Sequence, residues 1–120
     1  MPTKMILLSG LIILAAMPKS TRARETMLLH VGATGIHCAR EPCPARGIYP
    51  ADAQPRDRRA ALLYAGLSGN ALLPRLEAST KERALLERSW YEYGCLLIEG
   101  GFQPADGGPI LRVQRILGEC

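Results

Sequence analysis

The chain has few aromatic residues and few histidines: one Phe, one Trp, four Tyr and two His in 120 residues. A domain of this size with so few large aromatic side chains has a modest core and needs another source of stability. Several chemical signatures are also missing. The most apolar stretch, Met5–Met17 (MILLSGLIILAAM), has 13 residues, whereas a membrane-spanning helix needs about 20. No C-x-x-C is present, which argues against the usual dithiol redox motif. The segment 66–70, GLSGN, approaches the G-x-S-x-G elbow but ends in Asn. The chain is also too short for the sheet that elbow requires, so Ser68 reads as a turn residue. No paired-carboxylate motif for glycoside chemistry stands out, and neither histidine has an evident acidic partner. Together these absences point away from an enzyme.

What is present begins with the N-terminus. Met1–Lys4 carries one positive charge, the apolar run follows, and a polar segment PKSTRAR occupies 18–24. This order is that of a secretory signal peptide. We assign 1–23 to it, with cleavage after Ala16 or after Ala23. No cysteine follows the apolar run closely, which disfavours a lipid anchor. The formal charge of +4 comes from 15 basic and 11 acidic residues. Lys4, Lys19 and Arg22 precede the later cleavage site, so the mature chain carries 12 minus 11, or +1. The basic pI therefore belongs mostly to the leader and says little about nucleic acid or anionic lipid. With the Arg/Ala/Gly-rich composition, the leader suggests a bacterial protein of the periplasm or one that is secreted. After cleavage no stable membrane span is expected.

All four cysteines, Cys38, Cys43, Cys95 and Cys120, lie in the predicted mature domain, 24–120. An even number in a small exported domain indicates disulfides. The metal reading of HCAREPC (37–43) would draw on His30, His37, Cys38 and Cys43. Its C-x4-C spacing is at the edge of the zinc range, and both histidines lie upstream, so neither metal nor cofactor is expected. Cysteines five apart suit a short covalent staple across a turn. We favour Cys38–Cys43 with Cys95–Cys120; the alternative is a crosswise pattern linking the first pair to the C-terminus.

Periodicity supplies the elements. Thr26–Val31 reads as a strand. A second strand, with an irregular start, ends near Pro50. The segment 51–59, ADAQPRDRR, is a loop. Ala60–Leu67 reads as a third strand, with a short buried helix as its rival. Ser79 and Glu82 form a capping box before a helix that places Leu86, Trp90 and Tyr93 on one face. Arg83 with Glu87, and Arg88 with Glu92, are expected as i,i+4 pairs, and Gly94 as the C′ residue. A hairpin around Asp106-Gly107-Gly108 completes the chain. A symmetric register sets Ile98 opposite Leu117, Phe102 opposite Val113 and Cys95 opposite Cys120. A bulge at Gly100-Gly101 would shift it.

The resulting order is β-β-β-α-β-β: a mainly β fold with one helix. It resembles the OB-fold, a five-stranded barrel with a helix between its third and fourth strands. The resemblance implies a barrel that binds its ligand on the face of strands 2 and 3. Arg56, Arg58 and Arg59 in PRDRR, flanked by Tyr49 and Tyr64, are the candidate ligand-binding residues, since arginines beside aromatics suit anionic polymers. In an exported protein an anionic glycan or a protein partner fits better than nucleic acid. The expectation is a non-enzymatic binding or structural module of the bacterial envelope. A small secreted hydrolase using His30 or His37, or an inhibitor or toxin-like factor acting through a protein surface, are the alternatives.

Overall fold

The computed structural model describes residues 25–66 and 72–120. The expected leader, and Ser68 with the rest of GLSGN beyond Gly66, lie outside the described residues. Six strands run in the chain order β1 (Met27–Ala33), β2 (Arg46–Pro50), β3 (Tyr64–Gly66), β4 (Arg75–Glu77), β5 (Cys95–Gln103) and β6 (Ile110–Glu119). They form one curled, open half-barrel sheet in the spatial order β3-β2-β1-β5-β6-β4. All pairings are antiparallel except β4 with β6, which is parallel. Among the described residues two helices accompany the sheet, α1 (Arg58–Ala61) and α2 (Thr80–Tyr91), and a 3-10 turn at Pro55–Asp57 leads into α1.

Two expectations are corrected. The sheet has six strands and is open, not a closed five-stranded barrel. Among the described residues there are two short helices rather than one, because the apolar segment expected as a single strand divides. Its first part joins the turn of α1, and only Tyr64–Gly66 pairs with β2. The three residues of β4 carry too little alternation to be recognised alone. They are a strand only because β6 lies beside them.

The core is built from alternate residues. Leu29 and Val31 of β1, Ile48 of β2, Ile98 of β5, and Leu111 and Val113 of β6 are buried with Leu86 and Trp90 of α2. Cross-strand pairing sets Val31 against Ile48 and Leu29 against Ile98, so these side chains share one face. Helix α2 packs across that face on β1, β5 and β6. Its N-terminus is capped as expected. The Ser79 hydroxyl accepts the Glu82 amide proton at 3.2 Å and donates to the Glu82 carboxylate at 2.9 Å. The expected i,i+4 charge pairs do not close: among the described residues the ion pairs are Arg56–Asp57 and Arg115–Glu99, and Arg83 donates to the Leu76 carbonyl.

The C-terminus of α2 differs from expectation. Glu92 is the C-cap, and Tyr93, with φ 57°, takes the left-handed C′ position expected for Gly94. The Gly94 amide donates to the Ser89 carbonyl at 2.7 Å, and the Tyr93 amide to that of Trp90 at 3.4 Å, the bonds of a Schellman motif. The Tyr93 ring lies under the Arg46 guanidinium at 3.9 Å and is 63 % exposed, so it does not join Leu86 and Trp90 in the core. One residue later, Gly94 is closely packed on the helix it follows. A Cβ on Gly94 would come within 2.7 Å of the Ser89 hydroxyl oxygen.

Both favoured disulfides are present, Cys38–Cys43 and Cys95–Cys120, with Cα separations of 5.7 and 5.4 Å. The hairpin reaches the second by a less regular route than a single register. Leu96 faces Glu119, Ile98 faces Ile116, and Phe102 faces Leu111. Two bulges on β6, between Leu97/Ile98 and Glu99/Gly100 of the facing strand, move the pairing by two residues along the hairpin. Ile98 therefore does not face Leu117, nor Phe102 Val113. The glycines of β5 are not the bulged residues. Gly100 instead accommodates the backbone of Arg112, where a Cβ would overlap the carbonyl oxygen.

Candidate functional site

The pleat separates the two tyrosines expected to share a site. Ile48 is a core residue and faces Tyr64, so Tyr64 points to the core side. There it meets Trp90 and Phe102 at ring distances of 6.3 and 6.0 Å. Its hydroxyl donates to the Leu72 carbonyl at 2.7 Å. Burial raises its pKa, with Tyr91 adding to the shift. Tyr49, one residue along from Ile48, points to the opposite face.

On that face Tyr49 is buried, with 3 % exposure. Its cross-strand partner His30 meets its ring edge-on, with centroids 5.0 Å apart. The Arg58 guanidinium lies over the Tyr49 ring, 5.0 Å from its centroid, and donates to the Thr34 carbonyl at 2.6 Å. Thr34 is itself fully buried, and its hydroxyl donates to the Pro44 carbonyl at 2.7 Å. Arg58 thus ties α1 to β2 and to the loop after β1. Burial raises the Tyr49 pKa while Arg58 pulls it down; burial first, and then Arg58, lower that of His30.

The three arginines of PRDRR consequently have different settings. Arg58 is engaged with Tyr49 and Thr34. Arg56 and Arg59 are exposed, on either side of it in the chain. The Arg56 side chain is 88 % exposed and lies 3.9 Å from Asp57. The structure therefore joins Tyr49 to Arg58, leaves Arg56 and Arg59 at the surface of the same turn, and sets Tyr64 apart on the core side.

HCAREPC forms a covalent loop. Cys38 and Cys43 are bonded to each other, Glu41-Pro42 is cis, and the Glu41 carboxylate accepts the Cys43 amide proton at 3.2 Å. His37 is exposed. The metal-ligand set weighed from sequence, His30 with His37, Cys38 and Cys43, is not assembled as one group among the described residues; His30 instead groups with the other cysteine pair. One ligand atom each of His30, Cys95 and Cys120 lie within 4.8 Å of one another. Strand pairing produces this meeting: His30 faces Leu97 and Gly32 faces Cys95 across β1 and β5. The Tyr49 hydroxyl lies 4.0 Å from the Cys95 sulfur. His30 Nδ1 is buried and makes no hydrogen bond among the described residues. A cleft of about 440 Å³ borders the disulfide, with Leu85, Arg88, Glu92 and Leu96 among its walls. No sequence signal could have found this group, because His30 and Cys95 meet only through the long-range register of β1 on β5.

No helix among the described residues is long and apolar enough to cross a membrane. Two disulfides are compatible with an oxidising, extracytoplasmic location. No protein-family model, no curated protein and no solved structure matches the chain.

Proposed function

We propose that the protein is an exported, disulfide-stapled, OB-like binding module of the bacterial envelope, without a catalytic role, that recognises an anionic glycan. The OB-like reading is supported by the placement of β3 and β4. These successive segments pair with β2 at one edge of the sheet and with β6 at the other. Together they stand where one closing third strand would run, and the helix follows them as in that fold. Two disulfides and an N-terminal charge-then-apolar pattern support export.

The observation that carries the binding reading is the anchoring of Arg58 between Tyr49 and Thr34, which leaves Arg56 and Arg59 exposed on a fixed turn. Arginines held on an ordered segment lose less freedom on binding than arginines in a mobile loop. Their surroundings favour a glycan over a protein. The exposed residues beside them in the chain, Asp52, Gln54, Pro55, Asp57 and Ala60, are mostly polar or small, and Leu63 is the nearest exposed large apolar residue in the chain. A hydrolytic role is less well supported. The described contacts of His30 are an aromatic ring and a disulfide, and no carboxylate is among them.

A sulfated polysaccharide column tests the reading. The protein should be retained at low salt. Arg56→Ala with Arg59→Ala should weaken binding about tenfold or more, the loss of two charge-assisted contacts. A control pair, Arg83→Ala with Arg88→Ala on α2, removes the same charge and should bind nearly as the parent does. Equal losses for both pairs would reduce the effect to net charge and overturn the proposed site; absence of retention would overturn the glycan reading.

A further inference from the structure

We propose that opening the Cys95–Cys120 disulfide converts this corner of the sheet into a binding site for a zinc-class divalent cation, ligated by His30 and the two cysteine thiolates. This does not depend on the glycan reading, which rests on the exposed Arg56 and Arg59, although Tyr49 touches both Arg58 and His30.

The donor set is right in kind. Two thiolates and one imidazole form a Cys2His set, a combination that binds zinc with the fourth position left to water or another ligand. It is also close to right in geometry. The three ligand atoms lie within 4.8 Å of one another. Tetrahedral zinc with sulfur at about 2.3 Å and nitrogen near 2.0 Å sets its ligands roughly 3.5–3.8 Å apart. The histidine nitrogen therefore has to approach by an ångström or so, and the two sulfurs have to separate from bonding distance. Cys120 is exposed, which gives it room to make that move. The Cα separation of 5.4 Å already suits two side chains that meet at one atom.

His30 supplies the independent sign of a ligand. Its Nδ1 is buried without a hydrogen-bond partner among the described residues. Its ring is held edge-on against Tyr49. A buried polar atom with no partner carries a desolvation cost that a hydrogen bond or a metal would offset. The ring is fixed beside two sulfurs, yet hydrogen bonding does not account for its position.

The chemistry has two balanced steps. A dithiol reductant attacks one sulfur of the disulfide as its thiolate. A mixed disulfide forms, and the other cysteine leaves as a thiolate. The second thiol of the reductant then displaces the remaining cysteine, so the reductant ends as a disulfide and the protein holds two thiols. Zn²⁺ replaces the two thiol protons and releases them to solvent. In the oxidised state both sulfurs are bonded to each other and the thiolate ligands do not exist. Metal binding and the staple are thus mutually exclusive states of one corner.

Zn²⁺ titration of the full chain tests this in a Cys38→Ser/Cys43→Ser background, which removes the other thiols. The protein is reduced with a phosphine, freed of it and kept anaerobic. The reduced protein should take up one Zn²⁺, measured against a chromophoric chelator, while the oxidised protein takes up none. Co²⁺ in its place should give the intense thiolate-to-metal bands of a tetrahedral site. His30→Asn should weaken uptake tenfold or more, and Cys95→Ser/Cys120→Ser should abolish it. If reduction alone unfolds the chain, Zn²⁺ should restore its far-ultraviolet circular dichroism. No uptake on reduction, no refolding by Zn²⁺ where reduction unfolds the chain, or an affinity unchanged in His30→Asn, would each overturn the proposal.

Discussion

Gly32 and Gly94 meet backbone to backbone: a Cβ on Gly32 would overlap the Gly94 carbonyl oxygen, which accepts the Ala33 amide proton at 2.8 Å. This contact seats the end of α2 against the end of β1. Gly32 also has φ 135°, a conformation that side-chain-bearing residues rarely adopt. Gly32→Ala combines a steric clash with backbone strain and should destabilise the fold by about 2–4 kcal/mol. A urea denaturation midpoint measures it, and an unchanged midpoint would show that the close approach does not form.

Tyr93 allows a comparison between two small residues. Alanine at this position keeps the left-handed backbone strain and loses the ring under Arg46. Glycine loses the same ring but relieves the strain. Tyr93→Gly should therefore be more stable than Tyr93→Ala by about 1 kcal/mol. Thermal melts of the two variants give the difference directly, and Tyr93→Ala melting at or above Tyr93→Gly would remove the C′ assignment.

The helix cap gives a third expectation. Ser79→Ala removes the acceptor for the Glu82 amide and the donor to the Glu82 carboxylate. The cost should be roughly 0.5–2 kcal/mol. Ser79→Asp should restore most of it, since it keeps an acceptor at the N-cap.

The two staples should differ in worth. Their sequence separations are 5 and 25 residues. In the chain-entropy model the longer loop restrains the unfolded chain more, by about 1–1.5 kcal/mol. Cys95→Ser/Cys120→Ser should thus lose more stability than Cys38→Ser/Cys43→Ser. Intact mass should rise by four hydrogens on full reduction, two for each bridge. A smaller gain would mean that one bridge is absent in solution.

The Glu99–Arg115 pair sets a pH dependence. Two hydrogen bonds of 2.8 Å hold the Glu99 carboxylate on the Arg115 guanidinium, and that bonding lowers the Glu99 pKa. A carboxyl with a lower pKa in the folded state contributes stability above its unfolded pKa. The contribution fades as pH falls through the folded value. Glu99→Gln should therefore flatten the acid side of the stability profile below about pH 4.5 and leave its alkaline side unchanged. The pair is solvent-facing, so the effect should be small. Denaturation midpoints between pH 2 and pH 7 test it.

Much of this was legible in the residues themselves. Ser79 and Glu82 announced α2 because a cap is local: donor, acceptor and helix start lie within four residues. Cys95 and Cys120 could be paired because a glycine-rich turn brings its two arms together by proximity alone. The details in between were not legible. The bulges on β6 leave Cys95 and Cys120 joined yet move Phe102 from Val113 to Leu111. A two-residue shift preserves which face each side chain takes, so the apolar pattern cannot register it. Tyr93 could not be chosen over Gly94 as the C′ residue, because its place depends on Arg46, on a distant strand.

Sequence alone, then, determined the elements whose causes are local: the capped helix, the turn at Asp106-Gly107-Gly108, and the cysteines close enough in chain or hairpin to find each other. Tertiary structure decided what depends on strands meeting across long stretches of chain. The pairing of β3 with β2 and of β4 with β6 puts these two successive strands at opposite edges of an open six-stranded sheet. The pleat of β2 sends Tyr49 and Tyr64 to opposite faces, dividing a site that looked continuous along the chain. The register of β1 on β5 brings His30 to Cys95 and Cys120. Local pattern records the period of each element but not which elements become neighbours, and every one of these outcomes is a choice of neighbour.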